Sequence, residues 1–597
     1  MLDAAHAAGI ELASVCGGHG HCGRCRLTVL AGDIGDPAEA DRSFLSQPEL
    51  DDGQRLACQT HIAGGVRVHV PRASLVTSQR LQIGGLARDV AVEAEVRDWL
   101  AEATAPTLSD HRSDFDRVAQ SLRAAHGLGG LTAEPAVLCQ LSQLARRTGW
   151  RLTAYLRGRE VVGVAAPGRR PAGLAVDLGT TKIAGYLVDL GTGEELAADG
   201  VMNPQIAYGE DVIARLAHAA RDPGGSPRLA GAVRAAINDL AGSLAADAGV
   251  ARDQIAAASI VGNTAMHHLL LALPTRQLSV SPFVPATSRP LDVRARDLDL
   301  ELAPGAYVQL PPCVSGFVGA DHVAMVLASD LDRADRVAVG LDIGTNTEIA
   351  LCKPGAPAAP GRAPLTSASC ASGPAFEGAH IHDGMRAADG AIEGIRLTPD
   401  GAELRVIGNT RPVGICGSGI VDAIAELRRT GRVNERGRLR ADAPGVRRGR
   451  QGGDRLEFLL APAADTGNGK DIVITQGDID EIQLAKGAIA AGVRVVLQAT
   501  GTDPDSVEEV IVAGAFGTYL NLDSALDIGL LPRLPRARYR QVGNAAGAGA
   551  KATLLSVTER DRARRIAEHV SYVELTTFPG FQRQFARSML FPNLTGG

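Results

Sequence analysis

The sequence predicts a multidomain chain of mixed α+β and α/β class: a small thiol-rich front module, a small middle α/β domain and a duplicated α/β fold. Three observations carry this. The length of 597 residues exceeds the ~300 at which single hydrophobic cores stop growing. Four cysteines fall within the first 58 residues, three of them in the ten residues Cys16 to Cys25. Two apolar hairpins with the same acid–Gly–Thr turn recur at Asp177 and Asp342.

Composition narrows the function. Apolar residues make up 45% of the chain, enough for several cores. Aromatics are only 3% and the net charge is −6, so neither a base-stacking platform nor a basic face for nucleic acid is expected. No apolar stretch approaches the ~18 residues that span a bilayer, and the N-terminus lacks a secretory layout. Nine cysteines, an odd number in so long a chain, do not read as a disulfide framework, so a reducing cytoplasm is expected.

The front spacing is Cys16-x5-Cys22-x2-Cys25, with Cys58 another 32 residues on. A [2Fe–2S] cluster takes four thiolates, three from one loop and one from a distant strand. Gly17, Gly18, Gly20 and Gly23 let such a loop curl round an inorganic core and aim N–H groups at sulfur. Zinc would favour two separated Cys-x2-Cys pairs, and here there is one. The five-residue first gap resembles the adrenodoxin branch of the ferredoxins, which implies a ferredoxin-like β-grasp. Such domains open with a strand hairpin, whereas this chain starts at "MLDAAHAAGI", the helix that would follow it.

The front module is expected over 1–71, a linker over 72–106 with a strand-like "DVAVEAEV", and the small middle domain over 107–170. The last contains a helix in "DFDRVAQSLRAAHG", a second in "AVLCQLSQLARR", and a hairpin in "WRLTAYLRGREVVGVAAPG". Cys139, in the second helix, reads as a buried small apolar residue.

From 171 to 597 the motifs concern phosphate. "GLAVDLGTTKIAGYLVDL" and "VGLDIGTNTEIALC" each place an acid at the end of an apolar strand, before a Gly-Thr turn. Gly179, Thr180, Thr181 and Lys182 in the first, and Gly344, Thr345 and Asn346 in the second, offer N–H, hydroxyl or ammonium groups to phosphate oxygens. Asp177 and Asp342 are placed to hold a magnesium ion through water, as an acid at a strand's end can. No G-x-x-x-x-G-K-[ST] occurs, since "TGNGKD" has Ala464 at the first glycine and Asp471 after Lys470. No G-x-G-x-x-G lies between a strand and a helix.

The paired hairpins resemble the superfamily of acetate and sugar kinases, seventy-kilodalton heat-shock chaperones and actin. "GFVGADHVAMVLA" is similar to its first connecting helix and "VGNAAGAGAKATLL" to its second. "EEVIVAGAFGTYLN" is similar to its adenosine motif, with Gly514, Phe516 and Gly517 lining the base and ribose. The resemblance implies an actin-like ATPase fold of two lobes. Asp321, in the first connecting helix, is expected either to orient the attacking water or to cap the helix.

A ferredoxin module fused to such an ATPase resembles the ATP-dependent reductive activators of corrinoid (B12) proteins. "PTLSDHRSDFDRV", "NPQIAYGEDVIARL", "SIVGNTAMHHLLL", "SCASGPAFEGAHI", "GICGSGIVDAIAEL" and "ITQGDIDEIQLAKGAI" are similar to that family's blocks. No C-x2-C-x2-C-x3-C-P run occurs, which disfavours the subtype with C-terminal [4Fe–4S] motifs. The resemblance implies a [2Fe–2S] cluster on Cys16, Cys22, Cys25 and Cys58, Mg–ATP, a corrinoid protein of a methyltransferase system as partner, an external low-potential electron donor, and a homodimer. It implies one-electron reduction of inactive cobalt(II) to cobalt(I), whose couple lies below the roughly −400 mV of plant-type clusters. A gap of ~200 mV is about 4.6 kcal/mol for one electron, supplied when nucleotide state and corrinoid state share one conformational equilibrium.

Ser369, Cys370 and Ser372 are expected either to approach the corrinoid or to form a turn packed on the second lobe. The Arg- and Gly-rich run 428–455 reads as a solvated loop, or as a docking edge for an acidic partner. His267 and His268 read as packed or capped. Two rival functions stand beside the activator: a small-molecule kinase carrying a redox module, and a ferredoxin scaffold that holds nucleotide only structurally.

Overall fold

The computed structural model describes residues 1–8, 10, 12, 18, 20, 23, 25–62, 64–71, 74, 90–209, 211–221, 224–355, 365–398, 401–449 and 455–593. Cys16, Cys22, His19 and His21 lie outside them.

The front module is a three-stranded antiparallel sheet. Arg26–Ala31 is its central strand, between Gln54–Leu56 and Arg67–His69. Leu2, Leu12, Leu27 and Leu56 form its core together with Cys25. Asp41, though buried, is fully engaged. One carboxylate oxygen accepts from Leu56 N at 2.7 Å and the other from Ala38 N at 2.8 Å, which ties the helix Glu39–Phe44 to the sheet. No strand precedes the helix Leu2–Ala7 among the described residues.

The middle module carries both expected helices, Asp114–His126 and Pro135–Arg147, and the expected hairpin Arg151–Arg157 with Glu160–Ala165. Two readings need correcting. Val96–Glu102, in the segment read as linker, pairs along its whole length with Arg151–Arg157 and is the edge strand of this sheet. Cys139 is exposed. The buried stripe of its helix is Val137, Leu141 and Ala145, and Cys139 lies two residues, about 200°, from that stripe. Arg157 and Glu160 bind Asp292 and Arg294 of the next module at 3.0 and 2.7 Å.

The remainder is two lobes built alike. In the first, the strand Ala172–Leu178 has an antiparallel hairpin partner, Lys182–Asp189, on one side and the parallel strand Ile255–Gly262 on the other. In the second, Ala338–Ile343 has the hairpin partner Asn346–Cys352 and the parallel strand Glu509–Ala513. Each hairpin sits within a six-stranded sheet. Helices cover the sheets, so the central strands are apolar on both faces instead of alternating. One such cover is Gln476–Ala499. It is the single described helix long and apolar enough to cross a membrane, a reading the uninterrupted-run criterion missed, and 78% of its apolar window is buried inside the protein.

The helices Ala320–Ala328 and Ala545–Leu555 lie between the lobes. They pack at a small-residue contact, where a Cβ on Gly549 would lie 2.6 Å from Ala324 Cα. The Arg- and Gly-rich run is only partly a solvated loop. Arg428 is buried and donates to Val433 O at 3.0 Å and Pro592 O at 2.8 Å, while Val446–Arg448 pairs with Leu456–Ala461. Residues 450–454 lie outside the described set. His267 and His268 are buried, their rings bonded to Ile260 O at 3.1 Å and Thr264 O at 2.7 Å.

Candidate functional site

Both Gly-Thr turns open into one interlobe cavity of about 230 Å³. Their conformation follows from the glycine: a Cβ on Gly179 would stand 2.6 Å from Lys182 O, inside the turn itself. Asn203 fastens the first turn by donating to Gly179 O at 2.9 Å, and Asn263 donates to Thr180 Oγ1 at 3.0 Å. Ser372 fastens the second by donating to Gly344 O at 3.0 Å. The Thr181 and Thr345 hydroxyls face each other across the cleft at 3.4 Å.

Asp177, Asp321, Asp342, Gly179, Thr180, Thr181, Lys182, Gly344, Thr345, Asn346, Gly514 and Phe516 all line this cavity. Gly514 has φ 92, and a Cβ there would lie 2.8 Å from Asp342 Oδ1. Only glycine combines that conformation with so close an approach. Phe516 stacks on Phe376 with ring centroids 5.0 Å apart. Gly517 is not a lining residue; it packs against Val512, where a Cβ would meet Cγ1 at 2.9 Å.

Carboxylates converge on the floor. Desolvation in the enclosed cleft lifts Asp177 to about 6, against an opposing hydrogen bond from Asn544. Asp321 rises to about 7 by desolvation and by the nearby charge of Asp177, opposed by its bond from His322 N. Asp342 rises to about 8 through desolvation, Asp321 and Asp177. Glu348, absent from the sequence reading, is raised well above the carboxylate range by burial, Asp321 and Asp342. Like charges held this close without a cation resist ionisation. Among the described residues, no group of three or more His, Cys, Asp or Glu side chains encloses an ion directly.

Asp321 sits in the first turn of its helix, but Gly319 is the N-cap and Asp321 Oδ1 takes only the adjacent His322 N, at 2.8 Å. Ser369, Cys370 and Ser372 flank the second turn from behind. Ser372 also bonds Thr347 at 2.9 Å, Ser369 donates to Glu348 Oε1 at 3.3 Å, and Cys370 is buried, its thiol pushed up by desolvation. This is the packed-turn arrangement, and it leaves Cys370 and Ser372 enclosed.

Of the four expected cluster ligands, Cys25 and Cys58 are described. They sit side by side, Cys58 N donating to Cys25 Sγ at 3.5 Å. Gln59 Nε2 lies 3.6 Å from Cys58 Sγ and also donates to Gly18 O at 2.7 Å. N–H groups aimed at sulfur, with a loop carbonyl tied alongside, suit a thiolate-bound cluster.

Sequence reasoning missed Glu348, Asn263, Asn544 and Arg386, all in the cleft. Asn263 and Asn544 carried a local signal as N-caps. Arg386, in a loop, carried none.

Fold and cleft together define an actin-like ATPase domain joined to a ferredoxin module. Comparisons with known proteins agree along the whole chain. Residues 1–63 match a 2Fe-2S iron-sulfur cluster binding domain, and 85–170 the linker region of RACo. Residues 172–334 match the RACo middle region, and 336–596 the C-terminal ASKHA domain of RACo. The corrinoid activation enzyme RamQ of Eubacterium limosum is 31% identical, over 99% of this chain and 96% of its own length. A solved reductive activator for corrinoid,iron-sulfur protein superposes with a TM-score of 0.74 at 33% identity, covering 99% of this chain and 95% of that one. A Methanosarcina barkeri reductase of the Co(II) methylated amine-specific corrinoid protein is 27% identical over 44% of this chain and 47% of its own length. The chain belongs to the family of reductive activators of corrinoid proteins.

Proposed function

We propose that this chain uses ATP to return a corrinoid protein to its active state, reducing the partner's inactive cobalt(II) to cobalt(I) by one electron. The observation that carries it is the convergence of Asp177, Asp321, Asp342 and Glu348 beneath two opposed Gly-Thr turns, in a chain that also brings Cys25 and Cys58 together. Bound by Cys16, Cys22, Cys25 and Cys58, a [2Fe–2S] cluster supplies single-electron transfer at low potential.

The chain's own residues do the rest. Asp177 and Asp342, assisted by Asp321 and Glu348, would hold hydrated magnesium, whose positive charge would let these crowded carboxylates ionise. Thr180, Thr181, Lys182, Thr345 and Asn346 hold the phosphates, while Gly514 and Phe516 make room for adenosine. Because the turns belong to different lobes and sit 3.4 Å apart at Thr181 and Thr345, bound triphosphate and lobe closure are one equilibrium. A partner that prefers one lobe arrangement is thereby coupled to nucleotide state.

The reading extends to an external low-potential electron donor, to a homodimer, and to a reducing cytoplasmic setting. Outside the front module, Cys139, Cys313, Cys352, Cys370 and Cys416 are free thiols, which supports that setting. ATPase activity, measured with and without a cobalt(II) corrinoid protein, tests the function. Stimulation by the corrinoid protein is expected. Stimulation by a sugar or small acid alone instead identifies a kinase.

A further inference from the structure

Arg386 lines the interlobe cleft and, among the described residues, makes no hydrogen bond or ion pair. Its backbone, by contrast, is closely braced. Met385 N donates to Ile415 O at 2.8 Å, Ile415 N to Asp383 O at 2.9 Å, Val473 N to Asp383 Oδ2 at 2.8 Å, and His382 N to Asp478 Oδ1 at 2.6 Å. Gly378, at φ 81, lies so close to Met385 that a Cβ would sit 2.8 Å from its carbonyl carbon. A five-donor guanidinium is therefore presented on a fixed base with nothing to bind.

Its surroundings offer it no direct ion pair among the described residues. The cleft acids nearest in the fold are engaged elsewhere: Glu377 Oε1 accepts from Thr345 Oγ1 at 2.6 Å, and Glu393 from Arg405 at 3.0 Å. Lys182, across the cleft in the other lobe, makes no side-chain hydrogen bond or ion pair among the described residues; burial disfavours its charge, the nearby Glu377 carboxylate supports it and the Arg386 charge opposes it. By contrast Arg294, also half-buried, is paired with Glu160 at 2.7 Å. Two converging cations with one neighbouring carboxylate, Glu377, which is already bonded to Thr345, leave positive charge for a polyanion.

We propose that Arg386 contacts the terminal phosphoryl oxygens of bound ATP and is a catalytic residue of its hydrolysis. This rests on the cleft being the ATP site. The inner phosphates are served by the two turns; Arg386 comes from outside both, opposite Lys182. In hydrolysis the oxygen of water bonds to the terminal phosphorus as the bond to the bridging oxygen breaks. The electron pair of that bond stays on ADP, and the proton from water goes to solvent. Arg386 neither gains nor loses a proton. Its planar fork meets the charge spread over the terminal oxygens.

The test uses the full chain with its cluster reconstituted. Mg–ADP binding, binding of a non-hydrolysable Mg–ATP analogue, and single-turnover Mg–ATP hydrolysis are compared in wild type, R386A and R386K. In R386A, ADP affinity stays within about twofold, preference for the triphosphate analogue is lost, and hydrolysis falls on the order of a thousandfold, the scale of an arginine contact to a transferring phosphoryl group. R386K, a point charge, restores little; added guanidinium restores part of the R386A rate. Equal losses for ADP and the analogue, or unaltered hydrolysis, overturn the assignment. Wild-type protein that binds neither nucleotide overturns the cleft reading first and this assignment with it. Unchanged melting and cluster absorption separate these outcomes from misfolding.

Discussion

Asn544 Nδ2 donates to Asp177 Oδ2 at 2.9 Å, although 367 residues separate them. Asn544 also caps its own helix by accepting from Gly547 N at 2.7 Å, so one side chain joins the second connecting helix to the floor of the nucleotide cleft. This bond opposes the desolvation that lifts Asp177 to about 6. N544A removes it, and Asp177 then holds its proton to higher pH. A bond to a carboxylate is worth about 1.5–3 kcal/mol, so Mg–ATP affinity near neutral pH falls roughly ten- to hundredfold. Titrations across pH check the sign: the loss shrinks toward alkaline pH, where Asp177 ionises in both proteins.

The helix contact at Gly549 makes a second prediction. A methyl group on Gly549 would press on the Ala324 backbone, 2.6 Å from its Cα. Backbone cannot swing aside as a side chain can, so G549A destabilises the protein by about 1–3 kcal/mol. Denaturant unfolding of parent and mutant measures it, and an unaltered midpoint contradicts the crossing.

At the front module, Gln59 links Cys58 Sγ, at 3.6 Å, to Gly18 O, at 2.7 Å. Hydrogen bonds to cluster sulfurs favour the reduced, more negative state. Q59L therefore moves the midpoint potential of the reconstituted cluster to a more negative value, read by redox titration with EPR detection. A potential that is unmoved or more positive contradicts the contact.

Two buried histidines give a pH dependence of known sign. Desolvation depresses His267 and His322 from 6.5 to about 4. The folded state thus refuses protons that the unfolded chain accepts below pH 6.5. Stability from the neutral imidazoles is full above that value and is lost as pH falls toward 4, about 2 kcal/mol per residue at pH 5. The cleft carboxylates act oppositely, since their raised pKa values stabilise the ligand-free fold at low pH. The comparison is therefore H322Q against parent: the mutant loses less stability between pH 7.5 and 5. Equal losses would place His322 in a solvated site.

Much of this was legible from local pattern. The cysteine spacing and the twin acid–Gly–Thr hairpins announce themselves through turn chemistry and apolar runs, whereas both connecting helices are legible only through the resemblance to the actin-like superfamily. Cys139 was legible too, by counting turns from Val137 and Leu141, but a lone small residue invites the buried reading. What stayed hidden depends on packing between distant segments. Glu348 looks like one polar residue in a strand until the sheet sets it opposite Asp342, its register partner. Arg386 sits in a loop whose shape is dictated by Ile415, Val473 and Asp478. Val96–Glu102 reads as a connector until its partner strand, some fifty residues on, is in place.

The central claim is that nucleotide binding in this cleft lets the front module reduce a corrinoid partner. Its most direct test is anaerobic visible spectroscopy of a cobalt(II) corrinoid protein mixed with the reductant-charged, reconstituted chain. The account predicts the spectrum of cobalt(I) with Mg–ATP, none without nucleotide, and none with D342N, which keeps its cluster but loses a carboxylate proposed to hold magnesium. Cobalt(I) formed equally well without ATP, or cobalt(II) persisting with Mg–ATP across the candidate corrinoid partners, contradicts it.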